Sequence, residues 1–177
     1  RLAVGVPGQL GTLDWQPAPE VAAHKLGPGE VRLSVHAVGL NFRDVMWAQG
    51  LLPEDILRAG FAGPGLGMEL AGVVEAVGPG CALAPGQPVL GVAPRALATR
   101  AVTREEALAL RPGWLAPEEA AGLPVAFLTA VHALEELGRI GPGDRVLIHG
   151  GAGAVGLAAL QVALAAGARV AATAGTE

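Results

Sequence analysis

The sequence predicts a small β domain followed by the beginning of an α/β domain with a parallel sheet. Three observations support this fold class. Residues 1–115 consist of short extended runs between Gly and Pro residues. From Pro117 onward the apolar pattern becomes helical, and residues 145–173 have the pattern strand, helix, strand of a βαβ unit. A chain of 177 residues can bury a substantial core.

The first domain is predicted to span residues 1–116. Its clearest strand is 31–38, where apolar and polar residues alternate after the turn at 27–29. Residues 44–57 are predicted to be helical or irregular. Further strands are expected at 70–77, 88–92 and 97–103.

The second domain is predicted to span residues 117–177, with connecting helices and a first βαβ unit. Residues 117–121 begin a short helix, with Pro at its first turn and acidic side chains near the positive end of its dipole. A longer helix is expected at 124–137, with Gly138 as its C-terminal stop. The other expected elements are a turn at 141–144, strands at 145–149 and 169–173, and a helix at 154–166.

Two parallel strands do not form a stable domain, because a parallel sheet needs further strands and helices on both faces. The helix at 154–166 is also apolar almost all round. We therefore expect the sequence to be a fragment of a longer polypeptide, cut inside its second domain. The alternative, that another chain supplies the remaining half, stays open on these grounds.

Composition excludes several classes of function. The formal charge is −4 without Lys/Arg clusters, which argues against nucleic acid or an anionic membrane surface as the main partner. Glycines and polar residues interrupt the longest apolar stretch, 146–174, so neither a bilayer span nor a signal segment is predicted. The single cysteine, Cys81, excludes an intramolecular disulfide framework and favours a reducing cytoplasm.

The strongest local motif is glycine-rich. Gly151, Gly153 and Gly156 fit G-x-G-x-x-G, directly after a predicted strand and at the start of a predicted helix. In this pattern the first glycine permits a tight turn, the second lets the backbone approach a pyrophosphate, and the third lets helix and strand pack closely. The helix N-terminus offers N–H groups to the anion. This context favours dinucleotide binding over a purely structural turn.

The end of the second strand indicates which dinucleotide binds. Enzymes that prefer NAD place Asp or Glu there, about 20 residues past the loop, to bind the ribose 2′-hydroxyl. Here residues 171–176 are small and uncharged, which favours NADPH. The cation that would hold the 2′-phosphate is expected beyond Glu177.

No metal site is predicted, because the histidines are scattered and no pair has ligand spacing with Cys81 or a carboxylate. Cys81 is interpreted as inert, and a Ser-His-Asp elbow pattern is absent. The histidines, interpreted as structural or surface residues, are His24, His36, His132 and His149.

A polar cluster at residues 39–46 follows the clearest strand. From the residues alone it is either a turn with a structural contact between Arg43 and Asp44 or part of a site.

Together these residues resemble the zinc-independent branch of the medium-chain dehydrogenase/reductase superfamily. More closely, they resemble the enoyl reductase domains of modular type I polyketide synthases and animal-type fatty acid synthases. The segments that carry the resemblance are 39–46, 67–72, 123–130 and 146–156. In zinc alcohol dehydrogenases a Cys stands near Asn41 and a His stands in place of Met68, and this sequence has neither ligand.

The resemblance implies a GroES-like β domain, the first part of a Rossmann domain and an active site in the cleft between them. It implies hydride transfer from NADPH to the β-carbon of an enoyl thioester on an acyl carrier protein, then protonation at the α-carbon. Neighbouring synthase domains would be further partners. One alternative is a free-standing zinc-independent NADPH quinone or enone oxidoreductase. A second alternative is a non-catalytic remnant that binds the cofactor weakly or acts as a spacer.

The resemblance also assigns roles to individual residues. Asn41 would line the nicotinamide and substrate pocket, and Arg43 with Asp44 would brace that loop. Thr129 would contact the nicotinamide end, with a hydroxyl that only bonds back to its own helix as the alternative. The residues that would hold the pyrophosphate are Gly150, Gly151, Ala152, Gly153, Ala154, Val155 and Gly156.

The sequence departs from the family at one catalytic position. Many polyketide enoyl reductases have a Tyr there, linked to protonation of the α-carbon, whereas this chain has Leu52 and no Tyr anywhere. A Leu side chain cannot donate a proton, so the sequence leaves the proton donor unassigned.

Overall fold

The computed structural model describes residues 1–175, apart from the side chains at positions 54 and 59. The chain divides into two compact units. Unit 1 is Arg1–Pro124, and unit 2 begins at Val125.

Unit 1 is built mainly of antiparallel β-strands. The strands are β1 Leu2–Val4, β2 Leu13–Trp15, β3 Glu30–Gly39, β4 Glu69–Val77, β5 Pro88–Val92, β6 Arg100–Arg104 and β7 Leu108–Leu110. Five of them form one sheet in the order β6-β3-β4-β5-β7, and β1 pairs with β2 in a separate hairpin. The predicted strands β3, β4, β5 and β6 are confirmed, whereas no pattern in the sequence predicted β1, β2 and β7, which have three residues each.

The alternating pattern of β3 explains the core of unit 1. Successive side chains of a strand point to opposite faces, so Val31 and Leu33 share one face, where both are fully buried. They pack with Leu70 and Val74 from the adjacent strand β4 and with Val89 from β5, the next strand along the sheet. These buried side chains form the core of unit 1, against the five-stranded sheet.

Four short helices accompany these strands. The last of them, α4, packs on β3 and β4, where Ala120 and Ala121 meet Ala71 in a small buried cluster. The sequence grouped residues 117–120 with the second domain, but this alanine packing places α4 in unit 1. The helices are α1 Pro19–Ala23, α2 Phe42–Ala48, α3 Glu54–Ala59 and α4 Pro117–Ala120.

Unit 2 contains the predicted βαβ unit. Strands β8 and β9 run parallel and in register, and the helix between them, α6, packs against both. Its small buried side chains, such as Ala158 and Val162, meet Ile148 of β8 and Ala130 of the preceding helix. The elements are α5 Pro124–Val131, β8 Arg145–His149, α6 Ala154–Ala165 and β9 Arg169–Thr173.

The long helix predicted at residues 124–137 is not uniform. After α5 it continues as a π-helical segment, His132–Leu137, in which the Gly138 N–H donates to the Ala133 carbonyl five residues back, at 2.9 Å. Gly138 itself keeps a right-handed helical backbone, and Arg139 has the positive φ of 49°. The helix therefore ends where predicted, but the left-handed residue comes one position later.

Residues 117–137 are long and apolar enough to cross a membrane. These two properties alone are weak evidence, since core helices of soluble proteins share them. The structure interrupts this segment between α4 and α5, and Ala120 and Ala121 are buried against the sheet of unit 1. We therefore interpret it as part of the folded chain.

Candidate functional site

The glycine-rich loop of unit 2 brings strand, loop and helix into close contact. A Cβ at Gly156 would lie 2.2 Å from the Gly150 carbonyl oxygen, and a Cβ at Gly151 would lie 2.8 Å from Ala172 Cβ in β9. The Gly151 N–H also donates to the Thr173 carbonyl at 2.8 Å. These two positions need glycine because any side chain would separate the elements.

The tight turn of this loop lies at Gly150, not at Gly151 as the motif predicts. Gly150 has a φ of +72°, in the left-handed region that favours glycine, whereas Gly151 is the point of contact with β9. The close contacts of this loop are at Gly151 and Gly156, whereas the turn that the motif assigns to Gly151 lies at Gly150.

The outer edge of the loop is open. Gly153 is the N-cap of α6 and is exposed, and a Cβ there would meet only the Gly150 carbonyl oxygen, at 3.4 Å. The first N–H groups of an α-helix have no acceptor within the helix, so at α6 they are available to an anion beside exposed Ala154 and Val155. The loop therefore fits a pyrophosphate.

The strand ends beside this loop carry no carboxylate within the described residues. His149 Nδ1 lies 3.1 Å from Thr173 Oγ1, and residues 171–175 are all exposed. Thr176, the last residue of the predicted uncharged run, lies outside the described residues.

Thr129 lies in α5, and its exposed hydroxyl donates to the Val125 carbonyl at 2.7 Å. This is the local bond that the sequence offered as the alternative to a nicotinamide contact. It satisfies the donor of the hydroxyl, while the oxygen keeps lone pairs that can accept a hydrogen bond.

In unit 1, Asn41 is the N-cap of α2 and is held by a buried carboxylate. Its Nδ2 donates to Glu69 Oε1 at 2.9 Å, and Glu69 is only 3% exposed. A Cβ at Gly39 would lie 2.4 Å from the same Oε1, so the glycine makes room for the carboxylate. Glu69 was not predicted as a site residue, although its position at the start of β4, after an apolar Met, is one sign of a buried acid.

Asp44 braces the Asn41 loop from inside. It is 5% exposed, and its Oδ2 accepts the Asn41 N–H at 3.1 Å, while its Oδ1 accepts the Gly67 N–H at 2.9 Å. The Arg43 guanidinium donates to the carbonyls of Gly65, at 3.0 Å, and Gly63. The direct contact between Arg43 and Asp44 is longer, at 3.7 Å. Both side chains thus act mainly by tying the loop at 63–67 to α2.

A family comparison identifies the fold of this chain. The family model of the alcohol dehydrogenase GroES-like domain matches residues 27–133, which include the five-stranded sheet, the Asn41 loop and α4. The chain belongs to this family.

Relatives of this GroES-like chain include modular polyketide synthases. The spectinabilin polyketide synthase system protein NorB of Streptomyces orinoci is 46% identical over 176 residues, which cover 98% of this chain and 8% of NorB. The chain thus matches a small part of a much longer relative.

Solved structures extend the likeness to enoyl reductases. The CurK enoyl reductase is 40% identical with a TM-score of 0.87, over 98% of this chain and 53% of CurK. Mycobacterial Rv1454c complexed with NADPH is 34% identical with a TM-score of 0.79, over 99% of this chain and 51% of that protein. The predicted resemblance and fold class are confirmed: a GroES-like domain followed by the first part of the second domain, together about half of such a reductase.

The described part of this GroES-like chain contains no group of three or more His, Cys, Asp or Glu residues that could hold a metal ion. His24 Nε2 instead lies 2.8 Å from Glu30 Oε2, and Cys81 Sγ lies 3.6 Å from the Glu30 carbonyl oxygen. The pKa of Glu30 is below its usual value, first because the Gly27 N–H donates to the carboxylate and then because of His24. These contacts form a small polar cluster around Glu30 in unit 1.

Proposed function

We propose that this chain is part of an NADPH-dependent enoyl reductase of a polyketide synthase. The reaction transfers a hydride from NADPH to the β-carbon of an α,β-unsaturated thioester, and a proton then adds at the α-carbon. The observation that carries the proposal is the likeness to CurK enoyl reductase, which extends over 98% of the chain and includes both the glycine-rich loop and the Asn41 loop.

The cofactor role is assigned to residues 150–156. The open edge at Gly153 and the N-terminus of α6 would bind the pyrophosphate, and Gly151 and Gly156 would keep the loop close to β9 and α6. NADPH is favoured over NADH because the described end of β9 has no carboxylate to repel a 2′-phosphate. The NADPH complex of Rv1454c supports the same assignment.

The substrate-side role is assigned to Asn41. Glu69 fixes its amide, since the Nδ2–Oε1 hydrogen bond is buried at the carboxylate end, and Asp44 fixes its backbone. A positioned amide can orient the nicotinamide or the thioester and so hold the reacting carbons near the distance of attack. Thr129 would contact the nicotinamide end through its oxygen. The proton donor is left unassigned, since Leu52 cannot supply a proton.

The partners are an acyl carrier protein that bears the enoyl thioester and the neighbouring domains of the synthase. The relatives in modular polyketide synthases support this setting over an animal-type fatty acid synthase. A cytoplasmic location is part of the proposal, because a single unpaired cysteine suits a reducing compartment.

The test is NADPH oxidation by the complete protein that contains this chain, followed by absorbance. A crotonyl-pantetheine thioester is compared with a simple quinone at equal concentration. We expect the thioester to give the higher kcat/KM. Preference for the quinone would overturn the substrate class while leaving the fold and cofactor in place.

The second candidate function is a free-standing quinone reductase. It is favoured by a solved mycobacterial quinone oxidoreductase that is 33% identical with a TM-score of 0.79 over 99% of this chain. A non-catalytic domain is the third reading, and tight NADPH binding without turnover of either substrate would favour it.

A further inference from the structure

The side chain of Asn41 is held in one orientation by Glu69. Its Nδ2 donates to Glu69 Oε1 at 2.9 Å, and Glu69 is only 3% exposed. Glu69 is itself fixed, because it pairs with Gly39 of β3 on one side and with Val92 of β5 on the other. A rotation of the Asn41 amide by a half turn would place its Oδ1 against a carboxylate oxygen. Since both oxygens are acceptors, the rotated form is disfavoured by about tenfold or more.

The main chain of Asn41 is fixed as well, at the first turn of α2. Asp44 Oδ2 accepts the Asn41 N–H at 3.1 Å, and the Asp44 N–H donates to the main-chain carbonyl of Asn41 at 2.9 Å. The main chain therefore satisfies this N–H of the helix start. Asn41 is only partly buried, and its Oδ1 has two lone pairs, so this oxygen can accept a hydrogen bond from a ligand.

An amide that is fixed in this way selects its ligand by hydrogen-bond type. Asn41 Oδ1 requires a donor, and the second N–H of Nδ2 requires an acceptor. The carbonyl, the sulfur and the double bond of an enoyl thioester contain no donor, so none of them can pair with Oδ1. A secondary amide has both an N–H and a carbonyl. The pantetheine arm carries such an amide two methylene groups from the thioester sulfur, close to the reacting end of the substrate.

We infer that Asn41 Oδ1 accepts a hydrogen bond from the amide N–H of the pantetheine arm that carries the enoyl group. The inference rests on the proposed function and names the substrates that its site selects, which are thioesters with an amide beside the sulfur and not simple alkyl thioesters. This bond fixes the arm at a set number of bonds from the double bond and so helps to place the reacting carbons for hydride transfer. Glu69 acts through Asn41 and is a positioning residue.

The test compares two substrates that differ in this N–H alone. Crotonyl-N-acetylcysteamine carries the amide, and in its ester counterpart an oxygen atom replaces the N–H. With the complete protein and NADPH, we expect kcat/KM to be about fivefold higher for the amide substrate, because a hydrogen bond between neutral groups contributes on that scale. Equal kcat/KM for the two substrates would overturn the inference.

Asn41→Ala should bring this ratio to about one, because it removes the acceptor. The matched control is Gln49→Ala, which also removes an amide side chain, at the exposed C-cap of the same helix. The ratio should be unchanged in this control. An equal fall in both variants would overturn the inference, because the effect would then belong to the helix and not to the Asn41 amide.

Glu69→Gln tests the positioning role. A Gln side chain can accept a hydrogen bond from Asn41 Nδ2 or donate one to Oδ1, so it tolerates both orientations of the Asn41 amide. In the rotated orientation Asn41 can donate to the ester oxygen. We therefore expect the kcat/KM of the ester substrate to rise and the ratio to fall to about two, while the amide substrate keeps most of its kcat/KM. A merely structural role of Glu69 would not improve the ester, and an unchanged ratio would overturn the positioning role.

Binding without turnover separates this inference from the proposed function. Titration calorimetry with two unreactive thioethers, S-butyl-N-acetylcysteamine and its ester counterpart, requires no reduction. Stronger binding of the amide that Asn41→Ala abolishes supports the inference even when no thioester is reduced. Equal binding together with equal kcat/KM overturns it, even when the protein proves to be an enoyl reductase.

The nicotinamide ring carries the other carboxamide of the proposed reaction. The acetylpyridine analogue of NADPH has a methyl group in place of the amide NH2 and so lacks the donor. Its affinity is compared with that of NADPH in wild type and in Asn41→Ala. If the variant loses a preference for NADPH over this analogue and keeps the ratio between the two thioesters, Asn41 serves the cofactor, and the inference is overturned.

Discussion

The two units shape their candidate sites in opposite ways. In unit 1, buried polar side chains fix the site. Asp44 and Glu69 are almost inaccessible to solvent, and they accept hydrogen bonds from Asn41 and, in the case of Asp44, also from the Gly67 N–H. In unit 2, the missing side chains of Gly151 and Gly156 let backbone segments approach one another. A polar anchor is sensitive to the loss of an atom, whereas a glycine contact is sensitive to the gain of one.

The packing around the candidate sites also differs between the two units. The central strands of unit 1 bury their core face fully, as Leu33 and Leu70 show. In unit 2 the buried side chains beside the loop are mostly small, among them Ala158 and Ala163. A change at an anchor of unit 1 should therefore be felt by a core of larger side chains.

The largest effect is expected for Gly153→Asp in the complete protein. The new carboxylate would stand at the open edge of the loop and repel the pyrophosphate, so NADPH affinity should fall by more than about a hundredfold. Gly153→Ala is the matched control, because its Cβ has room, with the nearest atom at 3.4 Å. Fluorescence titration measures both. Unchanged affinity in the Asp variant would remove the assignment of this loop.

Asp44→Ala should have the next largest effect, on unit 1. It leaves the N–H groups of Asn41 and Gly67 without their acceptor in a buried setting, which costs about 3 kcal/mol of unfolding free energy. Urea unfolding measures the loss, and Asp14→Ala, at an exposed position, is the control. A loss below about 1 kcal/mol would show that the anchors of unit 1 are dispensable.

Gly156→Ala should cost about 2 kcal/mol, because its Cβ would lie 2.2 Å from the Gly150 carbonyl oxygen and the loop would have to move. The control is Gly141→Ala, also in unit 2, where nothing lies within 4 Å of the added Cβ. Thermal unfolding and NADPH binding are both measured. If the two variants behave alike, close contact does not define this loop.

Asn41→Ala should lower turnover of the enoyl thioester about tenfold and leave the affinity for NADPH within about twofold. Glu69→Gln tests whether Glu69 only positions Asn41. The Gln oxygen can still accept the hydrogen bond from Asn41 Nδ2, so most of the turnover should remain. Steady-state kinetics and a binding titration give the two quantities. Wild-type turnover in Asn41→Ala would return this loop to a purely structural role.

The smallest effect concerns pH and the half-buried Glu30. Its pKa is lowered in the folded state by the Gly27 N–H and by His24. The ionised carboxylate therefore stabilises the fold at any pH above its pKa in the unfolded chain, near 4.5. That stability is lost as the pH falls through the lowered folded pKa. In urea unfolding, Glu30→Gln should therefore differ from wild type at neutral pH and converge with it in strong acid. A constant difference would contradict this.

Regular patterns made much of the fold predictable. Strands β5, β8 and β9 have the predicted bounds, since each is an apolar run between clear turn residues. The hairpin of β1 and β2 could not be predicted, because three residues are too few to show a period. The π-helical segment 132–137 was equally hidden, since its apolar spacing resembles that of an ordinary helix.

The candidate site was predictable as a set of residues but not as a set of contacts. Asn41, Asp44 and the glycine-rich loop stand out in sequence because polar or glycine residues follow strands there. The hydrogen bond from Asn41 to Glu69 joins residues 28 positions apart, and no local pattern reports such a pair. The left-handed turn at Arg95 was missed for a similar reason, since Gly65, which accommodates its stem, is distant in sequence.

The hydrogen bond from the Gly67 N–H to Asp44 also bears on motion. Loop amides usually exchange their hydrogens quickly with solvent, but this one is buried and bound to a side chain 23 residues away. Its exchange has to wait until α2 opens and withdraws the carboxylate. The dynamics of this glycine loop are therefore governed by a neighbouring helix and not by the flexibility of the loop's own residues.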